Sequence, residues 1–277
     1  MSAHDTRRVI LYLAVFVVAS QLIGWGGYLV ASRGDEDATS LGNMIWMAGP
    51  FVVAMVLRLV TRDWSDTGFG PNLIDSWPWY VIGFFMFPVI IAAVLLIGVI
   101  AGQTSLASFS ASPLFAAIGS LAAMTVVKNV LEETAWRGYM TPKVAAIGAH
   151  PIVGHLIVGL LWGAWHIPYY LGLVDQATLW AYTSQDLTVF VVMAVIGMSV
   201  AGILFGELRL ITGSIWPGFL AHTVSNLVIL ALLTERLIGI DHGAEIIFTP
   251  SWEGGISIIL IAAAGLGCYA WRQRRAL

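Results

Sequence analysis

Long apolar runs separated by short polar breaks cover almost the whole chain. Eight of these runs approach or exceed the roughly 20 residues that a helix needs to cross a bilayer core. They fall at residues 9–31, 41–60, 78–101, 113–138, 152–172, 187–207, 214–233 and 255–271. In lipid the backbone must satisfy its own N–H and C=O groups, which selects helices over open strands. The pattern therefore predicts an all-α polytopic transmembrane bundle of eight helices, with residues 1–277 as a single membrane domain. The first run follows Arg7 and Arg8 and is longer than the h-region of a signal peptide, so it reads as a retained span. The pairs Gly98/Gly102, Gly159/Gly163 and Gly202/Gly206 have the small-xxx-small spacing of close helix contacts, expected here within one chain.

Composition agrees with lipid as the outer solvent. The chain is 58% hydrophobic and 10% charged, against about 25% charged in soluble domains. Its 12 Trp and 8 Tyr suit the membrane interface. The net charge of −3 comes with no basic block, so no nucleic-acid partner is expected. Cys268 is the only cysteine, which excludes a disulfide within the chain. With the N-terminus placed in the cytoplasm, ten basic residues fall inside: Arg7, Arg8, Arg58, Arg62, Arg137, Lys143, Arg209, Arg272, Arg274 and Arg275. Two, Arg33 and Arg236, fall outside, along with the acidic Asp35, Glu36 and Asp37. That asymmetry places both termini in the cytoplasm of a cell-membrane protein.

Ionisable groups inside spans are costly and mark function by default. They gather in three places: Lys128 to Arg137 at the end of span four, Trp162 to Pro168 in span five, and His222 to Asn226 in span seven. Neighbouring helix positions diverge by about 100°, so Glu132 and Glu133 cannot face one point. Glu133 can pair with Arg137, and Glu132 with Lys128, each four residues apart. Asn226 lies one turn beyond His222 on the same side of its helix. A carboxylate, two imidazoles and a carboxamide in apolar surroundings suit hydrolysis. The acid activates a water, and the other groups position it and stabilise an oxyanion. Glu132, His166 and His222 could alternatively hold Zn²⁺ with an open position. Lys128 would weaken Glu132 as a base if the two pair.

At these motifs the chain resembles the CAAX protease and bacteriocin-processing (CPBP, or ABI) family of intramembrane proteases. Glu132, Glu133 and Arg137 match its E-E-x-x-x-R motif, Trp162 to His166 its F-x-x-x-H, and His222 and Asn226 its H-x-x-x-N. The likeness covers about residues 115–230, the expected catalytic core. Trp162 stands where the family has Phe, a change that keeps an aromatic wall. The resemblance implies peptide-bond hydrolysis of membrane-anchored peptides or proteins. In it Glu132 activates water, His166 assists, His222 and Asn226 complete the site, and Glu133 and Arg137 fix the helix end. Metal-free chemistry is the expectation, with Zn²⁺ as the alternative cofactor. Two other readings compete: a non-catalytic binding or immunity partner on the same fold, and a proton-coupled transporter using buried Glu and His.

Other histidines have plainer expectations. His4 and His242 belong in solvent, and His150 and His155 flank the start of span five, with His155 the better neighbour for the site. No H-E-x-x-H or G-x-S-x-G motif is present. One geometric conflict stands out. His166 lies 15 residues beyond Pro151, about 22 Å of helix. To meet Glu132, span five must begin outside the bilayer, or span four must run further than 113–138.

Overall fold

The computed structural model describes residues 3–31, 41–174, 179 and 183–275. The residues Arg33, Asp35, Glu36 and Asp37, and the side chain of His4, lie outside what is described. In chain order the elements are α1 (Ala3–Ala31), α2 (Leu41–Thr61), α3 (Leu73–Ile100), β1 (Thr104–Ser105) and α4 (Ala111–Ala135). A π-helical turn, Trp136–Met140, joins α4 to α5 (Thr141–Ala146). Then come α6 (Pro151–Pro168), a second π turn (Tyr169–Leu173), α7 (Leu187–Thr212) and α8 (Trp216–Thr234). The chain closes with β2 (Gly239–Ile240), α9 (Glu245–Phe248) and α10 (Gly255–Arg275). Eight helices among the described residues are long and apolar enough to cross a membrane. Leu22, Leu59, Val89, Phe115, Val153, Val192 and Ile259 point outward, as lipid-facing side chains do. The protein is a multi-pass, all-α membrane bundle, whose only strands among the described residues are the two-residue pair β1 and β2.

Span four is longer than its hydropathy suggested. With its π turn and α5 it runs from Ala111 to Ala146 without a break. The apolar run closes at 138, but the helix continues through Thr141, Pro142 and Lys143, and Pro142 sits in the first turn of α5, where it is tolerated. The geometric conflict disappears as a result. Glu132 lies 14 residues before Ala146 and His166 lies 15 after Pro151. Both are about 21–22 Å from the shared turn, so they stand at one depth.

A π turn widens the helix and frees carbonyls that must be bonded elsewhere. Thr141 Oγ1 donates to Trp136 O at 2.9 Å, Arg209 Nε to Arg137 O at 3.2 Å, and Arg58 Nη2 to Gly138 O at 2.5 Å. The same arginines hold the α2–α3 loop. Arg209 Nη2 donates to Asp66 O at 2.7 Å, Arg58 Nη1 donates to Asp63 O at 2.7 Å, and Arg58 also pairs with the Asp66 carboxylate. Lys143 bridges Asp63 and Asp66. Arg58, Arg137 and Arg209, counted above with the cytoplasmic charges, are buried in the protein.

Glycines seat α6 against α7. A Cβ on Gly159 would lie 2.5 Å from Met198 O, and one on Gly202 would lie 2.4 Å from His155 O. These contacts are within the chain, as expected. Gly102 differs: it lies beyond α3 at φ +71° with nothing within 4 Å of its Cβ position, so Gly98 and Gly102 do not form a helix-contact pair. His155 is buried, bonded to Glu207 at 3.1 Å, and Arg272 clamps the same carboxylate at 2.6 and 2.9 Å. This cluster ties α6, α7 and α10 together 11 residues before His166, so His155 is not a neighbour of the site. His242 is exposed.

Two measurements test this frame. Gly159→Ala forces a methyl into backbone atoms that cannot rotate away, and should cost about 1–3 kcal/mol in unfolding. Gly119→Ala, on the open face of α4 with nothing within 4 Å, should be neutral or slightly stabilising. Asp63 has its carboxyl lowered from 3.8 to about 2, chiefly by the hydrogen bond from Lys143. A depressed carboxyl contributes stability above its unfolded value and loses it as pH falls through the folded one. Amide exchange in the 62–72 loop should therefore accelerate as pH drops from 3.8 to about 2, and Asp63→Asn should remove that pH dependence.

Candidate active site

The last turn of α4 carries the two acids, and α6 and α8 face it. Glu132 is 1% exposed and Glu133 fully buried. Their carboxylates diverge, as the helix geometry requires, into two separate sets of partners.

Glu132 Oε2 accepts a hydrogen bond from Trp162 Nε1 at 2.7 Å, and Oε1 forms an ion pair with Lys128. Trp162 is therefore more than the aromatic wall expected from its place in the motif, because Phe could not donate this bond. Trp162 is itself pinned. Arg137 lies over its ring at 4.3 Å, and His222, His166 and Trp252 pack against it at centroid distances of 5.3, 5.7 and 6.0 Å.

Glu133 Oε1 is shared by Arg137 Nη1 at 3.2 Å and His222 Nδ1 at 3.0 Å. The Glu133–Arg137 ion pair forms across one helical turn, and Glu133 also grips an imidazole on α8. The Arg137 guanidinium makes no further hydrogen bond among the described residues. It rests instead between the rings of Trp162 and Phe205, 4.3 and 4.6 Å away, where the π-faces offset part of its lost hydration.

The partners also assign the histidine tautomers. His166 Nδ1 lies 3.0 Å from the carbonyl of Trp162, and His222 Nδ1 lies 3.0 Å from a carboxylate oxygen. Both neighbours only accept, so each Nδ1 carries hydrogen and each neutral ring presents Nε2 as an acceptor. His166 is held among Trp46, Trp165 and Trp162 with edge-on ring contacts of 4.7 to 5.7 Å. Both imidazoles pack against Trp162, the residue that bonds Glu132.

Asn226 Nδ2 donates to Asn129 Oδ1 at 3.1 Å, and Asn129 Nδ2 donates to Thr223 Oγ1 at 3.2 Å. This amide chain locks α8 to α4 and leaves the second Asn226 N–H outside that bond. Asn129 and Thr223 were missed in the sequence, although each sits close to a motif residue, three before Glu132 and one after His222.

A further element was not legible. Residues 249–254, which read as an outer loop, fold back into the bundle and are buried throughout. Gly197 on α7 makes the room, since its Cβ would lie 1.8 Å from Trp252 O. Trp252 roofs the site, 6.2 Å from the His222 ring. Its neighbour Glu253 takes hydrogen bonds from Ser251 and, at 3.4 Å, from Tyr170, and burial pushes its carboxyl up.

Among the described residues no three His, Cys, Asp or Glu side chains converge as a metal-ligating group. A metal at Glu132 would also have to displace an ammonium.

Fold and site together define a multi-pass membrane protein with a carboxylate–imidazole–amide cluster enclosed between three helices. Residues 112–228, which contain all three motifs, match the family described as type II CAAX prenyl endopeptidase Rce1-like. That match supports a place for the chain in a CPBP/CAAX protease-related family, a family of proteases. No curated protein matches the chain.

The charge pairing can be tested directly. Glu133→Gln leaves Arg137 buried without a counter-charge and should cost about 3–5 kcal/mol of stability. Adding Arg137→Met to that variant should recover part of the loss. Additive losses in detergent unfolding would show that the two residues do not depend on each other.

Proposed function

We propose that the protein is an intramembrane endopeptidase that hydrolyses peptide bonds of membrane-associated substrates with a water activated by Glu132. The observation that carries this reading is a buried carboxylate, Glu132, bonded to Trp162, with the imidazoles of His166 and His222 packed against that same indole. The kinship of residues 112–228 to a protease family supports it.

The chemistry follows from the groups present. Glu132 takes a proton from water as the water oxygen attacks the peptide carbonyl carbon. The proton then passes to the departing amine as the C–N bond breaks, so no external acid is consumed. His166, with Nδ1–H committed to the backbone, offers Nε2 to hold the water. His222 is oriented by Glu133 in the way a carboxylate orients a catalytic histidine. Asn226 keeps one N–H for the oxyanion after bonding Asn129. Glu133 and Arg137 act through His222 and Trp162 and do not touch the reacting atoms. No step requires a metal.

The test is cleavage of a membrane-anchored peptide library by the purified, reconstituted chain. Glu132→Gln should lower kcat about 10²–10⁴-fold, the usual contribution of a general base. Asn226→Ala should lower it about 10²–10³-fold. His166→Ala and His222→Ala should fall in the same range with folding retained. Cleavage that persists in Glu132→Gln would sink the mechanism. Absence of cleavage by folded wild type across a broad library would favour the non-catalytic binding reading instead.

A further inference from the structure

Glu132 is doubly held in this structure. One oxygen takes the Trp162 indole N–H at 2.7 Å and the other pairs with the Lys128 ammonium. A carboxylate paired with an ammonium resists taking a proton from water, because protonation would forfeit the pairing. One partner has to give way before Glu132 can act.

The two partners are unequal. Trp162 is 1% exposed, stacked under Arg137 and braced by His166 and His222. Lys128 is 23% exposed, on a long flexible stem one helical turn from the acid. Lys128 is the partner that can move. An ammonium does not leave a buried carboxylate for hydrocarbon, since an unpaired charge there is strongly unfavourable. It leaves for another anion. Glu133 is already committed to Arg137 and His222, and among the described residues no second acid pairs with Lys128. An anion brought by the substrate would meet that need.

We propose that Lys128 is a specificity-determining latch: it is drawn off Glu132 by a substrate carboxylate near the scissile bond, and this exchange frees the base. The proposal rests on the protease reading above and names the substrate chemistry of that site. The exchange keeps the ammonium paired throughout and ties activation to the presence of an anionic substrate. The carboxylate is either the peptide's own C-terminus or an Asp or Glu side chain beside the cleaved bond.

One membrane-anchored peptide that the wild type cleaves, made in four forms, decides it. The terminus is free or amidated, and the acidic side chain is present or replaced by its amide. Wild-type kcat/KM should fall about tenfold or more when the recognised carboxylate is neutralised, as for loss of a charged hydrogen bond. The arm that falls identifies the source. Lys128→Gln and Lys128→Met should cleave the anionic and neutral forms equally. Equal cleavage of all four forms by wild type overturns the latch while leaving the protease intact. Retained discrimination in the Lys128 variants overturns it as well. If either variant folds poorly, as judged by its thermal midpoint, the wild-type comparison still decides. Failure of folded wild type to cleave any peptide would instead remove the protease reading, and the latch with it.

Discussion

The buried acids Glu132, Glu133 and Glu207 find their counter-charges inside the protein, and that requirement organises the structure. Glu133 joins α4 to α8 through His222. Glu132 joins α4 to α6 through Trp162. Glu207 joins α7 to α6 and α10 through His155 and Arg272. Buried ion pairs add little net stability, but a broken one costs about 3–5 kcal/mol. They therefore discriminate between helix arrangements more than they strengthen any one of them. A hydrophobic surface bathed in lipid gives little preference for one helix contact over another. Here the polar contacts, with the glycine seats between α6 and α7, supply that preference.

The π turn after α4 applies the same requirement to the backbone. Its loosened carbonyls are bonded by Thr141, Arg209 and Arg58, the last two reaching from α7 and α2. Those arginines simultaneously bind the α2–α3 loop. The turn that points Arg137 into the site is thus held by residues outside it. Its continuation into α5 sets Glu132 and His166 at equal distance from the turn between α5 and α6, so the depth of the site is fixed by helix length on both sides.

Much of this was legible in the residues. The spans follow from hydropathy, because lipid imposes a single length scale on helices. The three motifs stand out because ionisable residues are rare in such runs. What escaped depended on direction and not on residue type. Span four outruns its apolar stretch of 113–138, because Pro142 is acceptable in a first turn and Lys143 finds Asp63 and Asp66. Trp162 looks like a substitute for Phe until its N–H is seen to meet a carboxylate. Trp252 and Glu253 sit in a stretch too short and polar to be a span, and only the path of the backbone carries them into the core. The burial of Arg137 escaped too, because charge alone does not reveal which way a side chain enters a bundle.

The two adjacent acids show how environment divides labour between identical side chains. Both are buried, both are ionic partners of a residue four positions away, and both meet an aromatic ring system on another helix. Their cations differ. Arg137 is 1% exposed, planar and sandwiched between rings, so Glu133 keeps its counter-charge through any reaction. Lys128 is a compact charge on a long stem and is 23% exposed, so in the proposed latch it is the partner that leaves Glu132. An acid whose partner cannot leave is suited to orienting an imidazole. An acid whose partner can leave is suited to accepting a proton. The proposed division into base and support rests on this difference in burial between the two cations, 23% against 1% exposed, beside the order of the motif.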